Sequence, residues 1–86
     1  MTLGYAILTT PAGERDYRRV PPEHRARVRA AVLSLQEDPR SRSQRLEGEN
    51  AYRKRVGDYR IIFRIDDAGQ RVLVSRIKHR RDFYRR

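Results

Sequence analysis

The 86-residue chain has no cysteine and no tryptophan, a single methionine and only two histidines, His24 and His79. Without cysteine there is no disulfide and no thiolate nucleophile, and no need of an oxidising compartment. Two histidines alone do not make the usual Cys/His zinc site, so neither a metal nor another cofactor is expected. Apolar runs are only a few residues long, far short of a membrane span. Met1 to Leu8 carries no basic segment and no long apolar stretch, unlike a secretory signal. A cytoplasmic protein without a membrane partner is therefore expected. A chain this short buries only about 60–65% of its unfolded surface, which excludes two independent cores and points to a single domain over residues 1–86.

What the chain has in excess is positive charge. It carries 21 Lys and Arg against 11 Asp and Glu, a formal net charge of +10. Such an excess costs self-repulsion in the folded state and points to a polyanionic partner. It is also uneven. Residues 53–86 hold 12 basic and 4 acidic side chains, whereas residues 1–52 hold 9 and 7. Only Lys54 and Lys78 are lysines; the rest are arginines, whose planar fork of donors fits phosphate bidentately.

Hydrophobic spacing divides the chain into elements. Tyr5 to Thr10 reads as a strand ended by Pro11, and Ala12 to Val20 as a short helix with Tyr17 and Val20 inward. Pro21-Pro22 forces a break, and Pro22 suits the first turn of a second helix over Pro22–Glu37. There Val28, Ala31, Val32 and Leu35 fall at i, i+3, i+4 and i+7, and Asp38-Pro39 stops the helix. Arg40 to Asn50 reads as a polar loop anchored by Leu46. The period then changes to two: Tyr52–Val56 and Tyr59–Ile65 are strands joined by Gly57-Asp58, a two-residue hairpin signal. Asp66 to Gln70 is a second turn and Arg71–Lys78 a third strand, followed by a short tail or helical turn. The order β-α-α-β-β-β gives an α+β fold, a helical hairpin packed on a small, mainly antiparallel sheet.

A two-residue turn fixes the hairpin register. Val56 then faces Tyr59, Arg55 faces Arg60, Lys54 faces Ile61 and Arg53 faces Ile62. Tyr52, Val56, Tyr59, Ile61, Phe63 and Ile65 share the core face, and Arg53, Arg55, Arg60 and Arg64 line the other. A solvated sheet face explains most charged alternations. Here the signs are unmixed, and Arg55 opposite Arg60 is a like-charge pair that destabilises a sheet; an anion held between them supplies a reason for it. Lys54 falls on the core face, where its methylenes can line apolar neighbours while the ammonium reaches the edge. The tail places His79, a residue type that carries protons near neutral pH, and Tyr84 among guanidinium groups that stabilise a phenolate.

Asp38-Pro39-Arg40, Leu46-Glu47-Gly48, the hairpin Tyr52 to Phe63 and the tail His79-Arg80-Arg81-Asp82-Phe83-Tyr84 occur in an order that resembles the RelE/ParE superfamily of toxins from type II toxin–antitoxin systems, in its RelE-like branch. The resemblance covers nearly the whole chain. It implies the same α+β fold and a ribosome-dependent endoribonuclease, an mRNA interferase that cuts mRNA in the decoding site and inhibits translation. Residue by residue it implies catalytic roles for Arg53, Arg55, Arg60, Arg80 and Tyr84, with Lys78 or Arg81 as alternatives to Arg80. RNA contacts are expected from Arg64, Lys78, His79 and Arg81. The implied partners are a cognate antitoxin protein, mRNA in the decoding site and ribosomal RNA. The chain departs from the pattern at Lys54, where the superfamily usually carries an apolar residue.

The implied reaction is attack of a ribose 2′-OH on the adjacent phosphate. Arg55 and Arg60 suit stabilisation of the charge that builds on phosphorus, and Arg53 suits positioning. Arginine is a poor base because its pKa exceeds about 12, so Tyr84 or His79 is the candidate base; stacking of Tyr84 on an unstacked RNA base is a competing role. Two other functions fit the same residues less well: a ParE-like toxin that inhibits DNA gyrase by binding, and a non-catalytic basic RNA-binding module.

Overall fold

The computed structural model describes residues 4–46 and 50–81. Strand β1 (Ala6–Thr9) leads into helix α1 (Pro11–Arg19), helix α2 (Pro22–Ser34), strand β2 (Ser43–Arg45), strand β3 (Tyr52–Val56), strand β4 (Tyr59–Asp66) and strand β5 (Arg71–His79). The strands form one sheet in the order β1-β5-β4-β3-β2, with β1 parallel to β5 and every other pair antiparallel. The expected α+β architecture and helical hairpin are present. Strand β1 is a residue shorter at each end than expected, and β4 and β5 each run one residue further, to Asp66 and His79. Three other departures have identifiable causes. Pro11 opens α1 rather than merely ending β1, because Thr10 caps the helix by accepting a hydrogen bond from the Gly13 N–H at 3.0 Å and proline suits the first helical turn. Helix α2 ends at Ser34, with Leu35 as its cap, three residues short of the expected last residue, Glu37. The stretch read as a loop contains β2, which pairs Ser43, Gln44 and Arg45 with Lys54, Arg53 and Tyr52. Its three polar residues lack the apolar alternation that marks a strand. Leu46 is only half-buried, and Ala51 is the buried anchor instead.

The core forms between the helical hairpin and one sheet face. Val20, Val28 and Leu35 from the helices meet Ile61, Phe63, Ile65, Val72, Val74 and Ile77 from β4 and β5, with Tyr17, Ala31, Val32, Tyr52, Val56 and Tyr59 packed around them. Tyr52 and Phe63 stack across β3 and β4 with ring centroids 5.8 Å apart. The turn register is as the sequence implies: Val56 faces Tyr59 and Arg55 faces Arg60. Gly57 adopts a φ of +57°, the left-handed region glycine enters without steric cost. Lys54 reaches along the core face to donate to Ser34 Oγ at 3.1 Å, setting its ammonium at the C-terminal end of α2, where a cation is favoured.

Between Ile62 and Phe63 the β4–β5 register slips, leaving Ser75 as an extra residue on β5. Ser75 is tied down from both sides: its hydroxyl donates to the Ile62 carbonyl and its carbonyl accepts from Thr10 Oγ1. The slip reverses the alternation along β5. Val72 and Val74 face the core before it and Ile77 after it, so Arg76 and Lys78 emerge on the opposite face. Helix α1 lies against β5 beyond the end of β1. A Cβ on Gly13 would stand 2.9 Å from the Val74 carbonyl oxygen, so only glycine permits that approach.

Asp16 fastens the helix to this strand. Its carboxylate, 8% exposed, accepts from Arg76 Nε at 2.7 Å, from Arg76 Nη2 at 3.2 Å and from the Ile77 N–H at 2.9 Å. Burial would raise its pKa, but the Arg76 guanidinium, the Ile77 N–H and the charges of Arg76 and Lys78 together hold it below the ordinary 3.8. Asp16→Asn removes charge-assisted bonds at a buried site and is expected to cost about 2–3 kcal/mol, measured by urea denaturation at neutral pH.

A second polar cluster joins the far end of the molecule. Arg40 donates to both Asp67 oxygens at 3.0 and 2.8 Å, Tyr5 donates to Asp67 Oδ1 at 2.7 Å, and the guanidinium lies 5.5 Å from the centre of the Tyr52 ring. The bonds from Arg40, then that from Tyr5, lower the Asp67 pKa from 3.8 to about 2. A lowered carboxylate stabilises the fold above its unfolded pKa and loses that contribution as pH falls through its folded value. Asp67 thus contributes at neutral pH, and its contribution fades between about pH 4 and pH 2. Asp67→Asn is expected to flatten that part of the acid-unfolding curve followed by circular dichroism.

Candidate functional site

On the face away from the helices, strand pairing sets side chains in rows. Arg55 on β3, Arg60 on β4 and Lys78 on β5 stand abreast in one row. At the ordinary strand spacing the row is roughly 10 Å wide. The next row holds Gln44, Arg53, Ile62 and Arg76. Arg53 Nη2 donates to Gln44 Oε1 at 2.6 Å, which orients the guanidinium along the row. Arg76 is turned toward Asp16 at the edge of β5.

Arg60 departs from the sequence expectation of an open charged face. As the middle member of its row on the central strand, it is only 7% exposed, whereas Arg55 is exposed and Lys78 half-buried. A cation sunk between two other cations loses hydration and is repelled by both neighbours. The same three donors are preorganised for an anion: a phosphate laid across the row meets Arg60 in the centre and a further cation on each side.

The other expected residues divide. Arg64 shares the outer face but sits in a separate row with the exposed Leu73, on the far side of the register slip, so it does not join the cationic row. Arg80 folds against the hairpin turn: its N–H donates to the Asp58 carbonyl, and its guanidinium lies 3.9 Å from the Asp58 carboxylate. His79 belongs to β5 and faces the core side, where its ring meets Tyr59 edge-on with centroids 5.1 Å apart. Its Nδ1 accepts from the Arg81 N–H at 3.2 Å, which puts the proton of a neutral ring on Nε2. Arg81 is exposed. Tyr84, the expected tail tyrosine, lies outside the described residues.

Sequence reasoning missed Gln44, Asp16 and Arg76. Gln44 was hidden with its strand. Asp16 had a signal: it falls at i+3 from Gly13 on α1, in line with the cap residue Val20 at i+7, and these three positions are the buried ones.

Residues 7–84 match the family model described as the ParE toxin of the type II toxin–antitoxin system parDE. The chain belongs to this toxin family. It is 35% identical over 89 aligned positions to the toxin RelG of Mycobacterium tuberculosis, covering 95% of this chain and 98% of that protein. Among solved structures it is similar to the toxin–antitoxin complex RelBE2 of the same organism, at 30% identity with a TM-score of 0.84, covering 91% of this chain and all of that one. The archaeal RelE–RelB complex from Pyrococcus horikoshii OT3 matches at 25% identity with a TM-score of 0.79, covering 93% and 97%. As a member of the ParE toxin family, the chain places its cationic rows on the outer face of the sheet and its helical hairpin on the other. Among the described residues, no helix is long and apolar enough to cross a membrane.

Proposed function

We propose that the protein is the toxin of a toxin–antitoxin pair and acts as a ribosome-dependent endoribonuclease on mRNA. The row Arg55–Arg60–Lys78, with its central arginine sunk into the sheet face, carries this reading. A preorganised set of donors of this kind suits a reaction that builds negative charge on a phosphate.

In the proposed reaction the 2′ oxygen of a ribose forms a bond to the adjacent phosphorus and the bond from phosphorus to the 5′ oxygen breaks. The 2′-OH proton passes to a base, and an acid returns a proton to the departing 5′ oxygen. Arg60 and Arg55 hold the non-bridging oxygens as charge builds, and Arg53, oriented by Gln44, positions the scissile phosphate. His79 lies on the opposite face of the sheet, against Tyr59, and so drops out as the base; Tyr84 takes that role, and Lys78, Arg80 or Arg81 supplies the remaining cation. Partnership with an antitoxin is supported by similarity to toxins solved as complexes with theirs.

The family model named for parDE toxins favours one other reading, gyrase inhibition by binding. The two separate in one experiment. Purified toxin is mixed with mRNA-programmed bacterial ribosomes and new mRNA ends are mapped by primer extension, with free mRNA as control. Discrete cuts in the decoding site are expected. Intact mRNA from folded, antitoxin-free protein would sink the nuclease reading, and loss of supercoiling in a gyrase assay would then establish the other.

A further inference from the structure

A cleft of about 300 Å³ opens at the tip of the β3–β4 hairpin, on the face opposite the cationic row. Its walls are His24, Arg27 and Val28 from α2, the turn Val56 to Tyr59, and His79 from β5. Nothing in the proposed chemistry uses His24 or Arg27, yet the fold brings them to the end of the sheet that carries Arg55, Arg60 and Lys78. Tyr59 is the floor. His79 meets it edge-on at 5.1 Å, and the His24 ring lies 6.0 Å from it at an angle of 51°. The Arg27 guanidinium stands over the glycine turn, within 3.3 Å of where a Gly57 Cβ would be.

We propose that this cleft binds one nucleotide of a single-stranded RNA, next to the phosphate held on the opposite face. The base lies against the exposed His24 ring with Tyr59 beneath it, and Arg27 takes the phosphate. Three observations converge. The volume falls at the small end of the about 300–1,000 Å³ usual for small-molecule sites. Flat rings beside a guanidinium are the pairing that single-stranded nucleic acids use, stacking for the base and charge for the backbone. The path between the two sites carries net positive charge as well: a neighbouring cleft shares Tyr59 and His79 and is lined by Arg19, Lys78 and Arg81, its one acid, Asp16, being paired with Arg76. A strand leaving the row at Lys78 can therefore round the sheet end without losing positive potential. The one acid on the wall, Asp58, is engaged by Arg80.

The proposal rests on the RNA-cleaving reading, so its test uses binding alone. The intact protein is titrated with AMP, CMP, GMP and UMP, and separately with inorganic phosphate, while the His24 and His79 ring protons are followed by NMR. A nucleoside monophosphate is expected to shift both rings. Arg27→Gln, an exposed position, is expected to weaken binding about tenfold. His24→Ala is expected to weaken it at least about fivefold, and His24→Phe to restore it by keeping a stacking ring. Inorganic phosphate producing the same shifts at the same concentrations would reduce the cleft to an anion site and overturn the proposal. So would ring signals that nucleotides leave unmoved. Binding in a protein that leaves mRNA intact would uphold the cleft and refute the nuclease; cleavage without binding would do the reverse.

Discussion

Arg60→Gln is expected to lower mRNA cleavage on programmed ribosomes by about 10²–10³-fold, with the fold intact by circular dichroism. The magnitude is that of removing one preorganised donor from a site where charge develops, and Arg60 is the best placed of the row for that role. It occupies the centre of the sheet, flanked by Arg55 and Lys78, and is 7% exposed. Glutamine keeps polar reach but loses the charge and the fork. Arg64→Gln is the control: it removes a cation from the same strand and face, but from a separate row, and should change the rate by less than about threefold. Equal losses in the two variants would mean that net charge, rather than the row, carries the activity. Full activity in Arg60→Gln would remove Arg60 from the reaction.

The largest expected effect on stability is at Phe63. Its side chain is fully buried, stacks on Tyr52 and packs where both helices meet β4 and β5. Phe63→Ala deletes a ring and leaves a cavity that the surrounding β-sheet backbone cannot collapse to fill, at a cost of about 3–5 kcal/mol. A domain of this length has only about 4–13 kcal/mol in total, so the variant is expected to lose a large share of its stability. Phe63→Leu, which keeps most of the volume, should cost about 1.5 kcal/mol or less. Urea denaturation of the two variants checks the ordering; an alanine variant within about 1 kcal/mol of the parent would contradict the packing described.

The hairpin was legible because two signals agreed on it. Gly57-Asp58 set the register and strict alternation set the faces, and together they put Arg55 opposite Arg60 as the structure has them. The rows themselves were not legible. Membership of Lys78 depends on how β5 lies against β4, and Ser75 reverses the alternation partway along that strand. No turn residue marks the reversal; its trace is only that Val74 and Ile77, three apart rather than two, both face the core. The burial of Arg60 was hidden for a related reason. Periodicity assigns a residue to a face, but depth within that face depends on neighbours from other strands. His24 and Arg27 were invisible as a site because their partners, Tyr59 and His79, come from the other half of the chain, and a charged residue off the apolar stripe of a helix looks the same whether or not a cleft lies beside it.

Strand β5 is the neighbour of both β1 and β4, the rest for α1, and the carrier of Lys78. Its pairing with β1 joins residues as far apart in the chain as Ala6 and Arg71. Such a topology has a high contact order, and folding slows as loop-closure entropy must be met before distant contacts repay it. The β3–β4 hairpin can form early and alone, but it then holds only Arg55 and Arg60. The third cation arrives with the strand that also closes the sheet, so completion of the cationic row and global folding should be one event in time. In refolding from urea, recovery of any activity that needs Lys78 should therefore follow the slowest phase seen by near-ultraviolet circular dichroism, with no earlier burst.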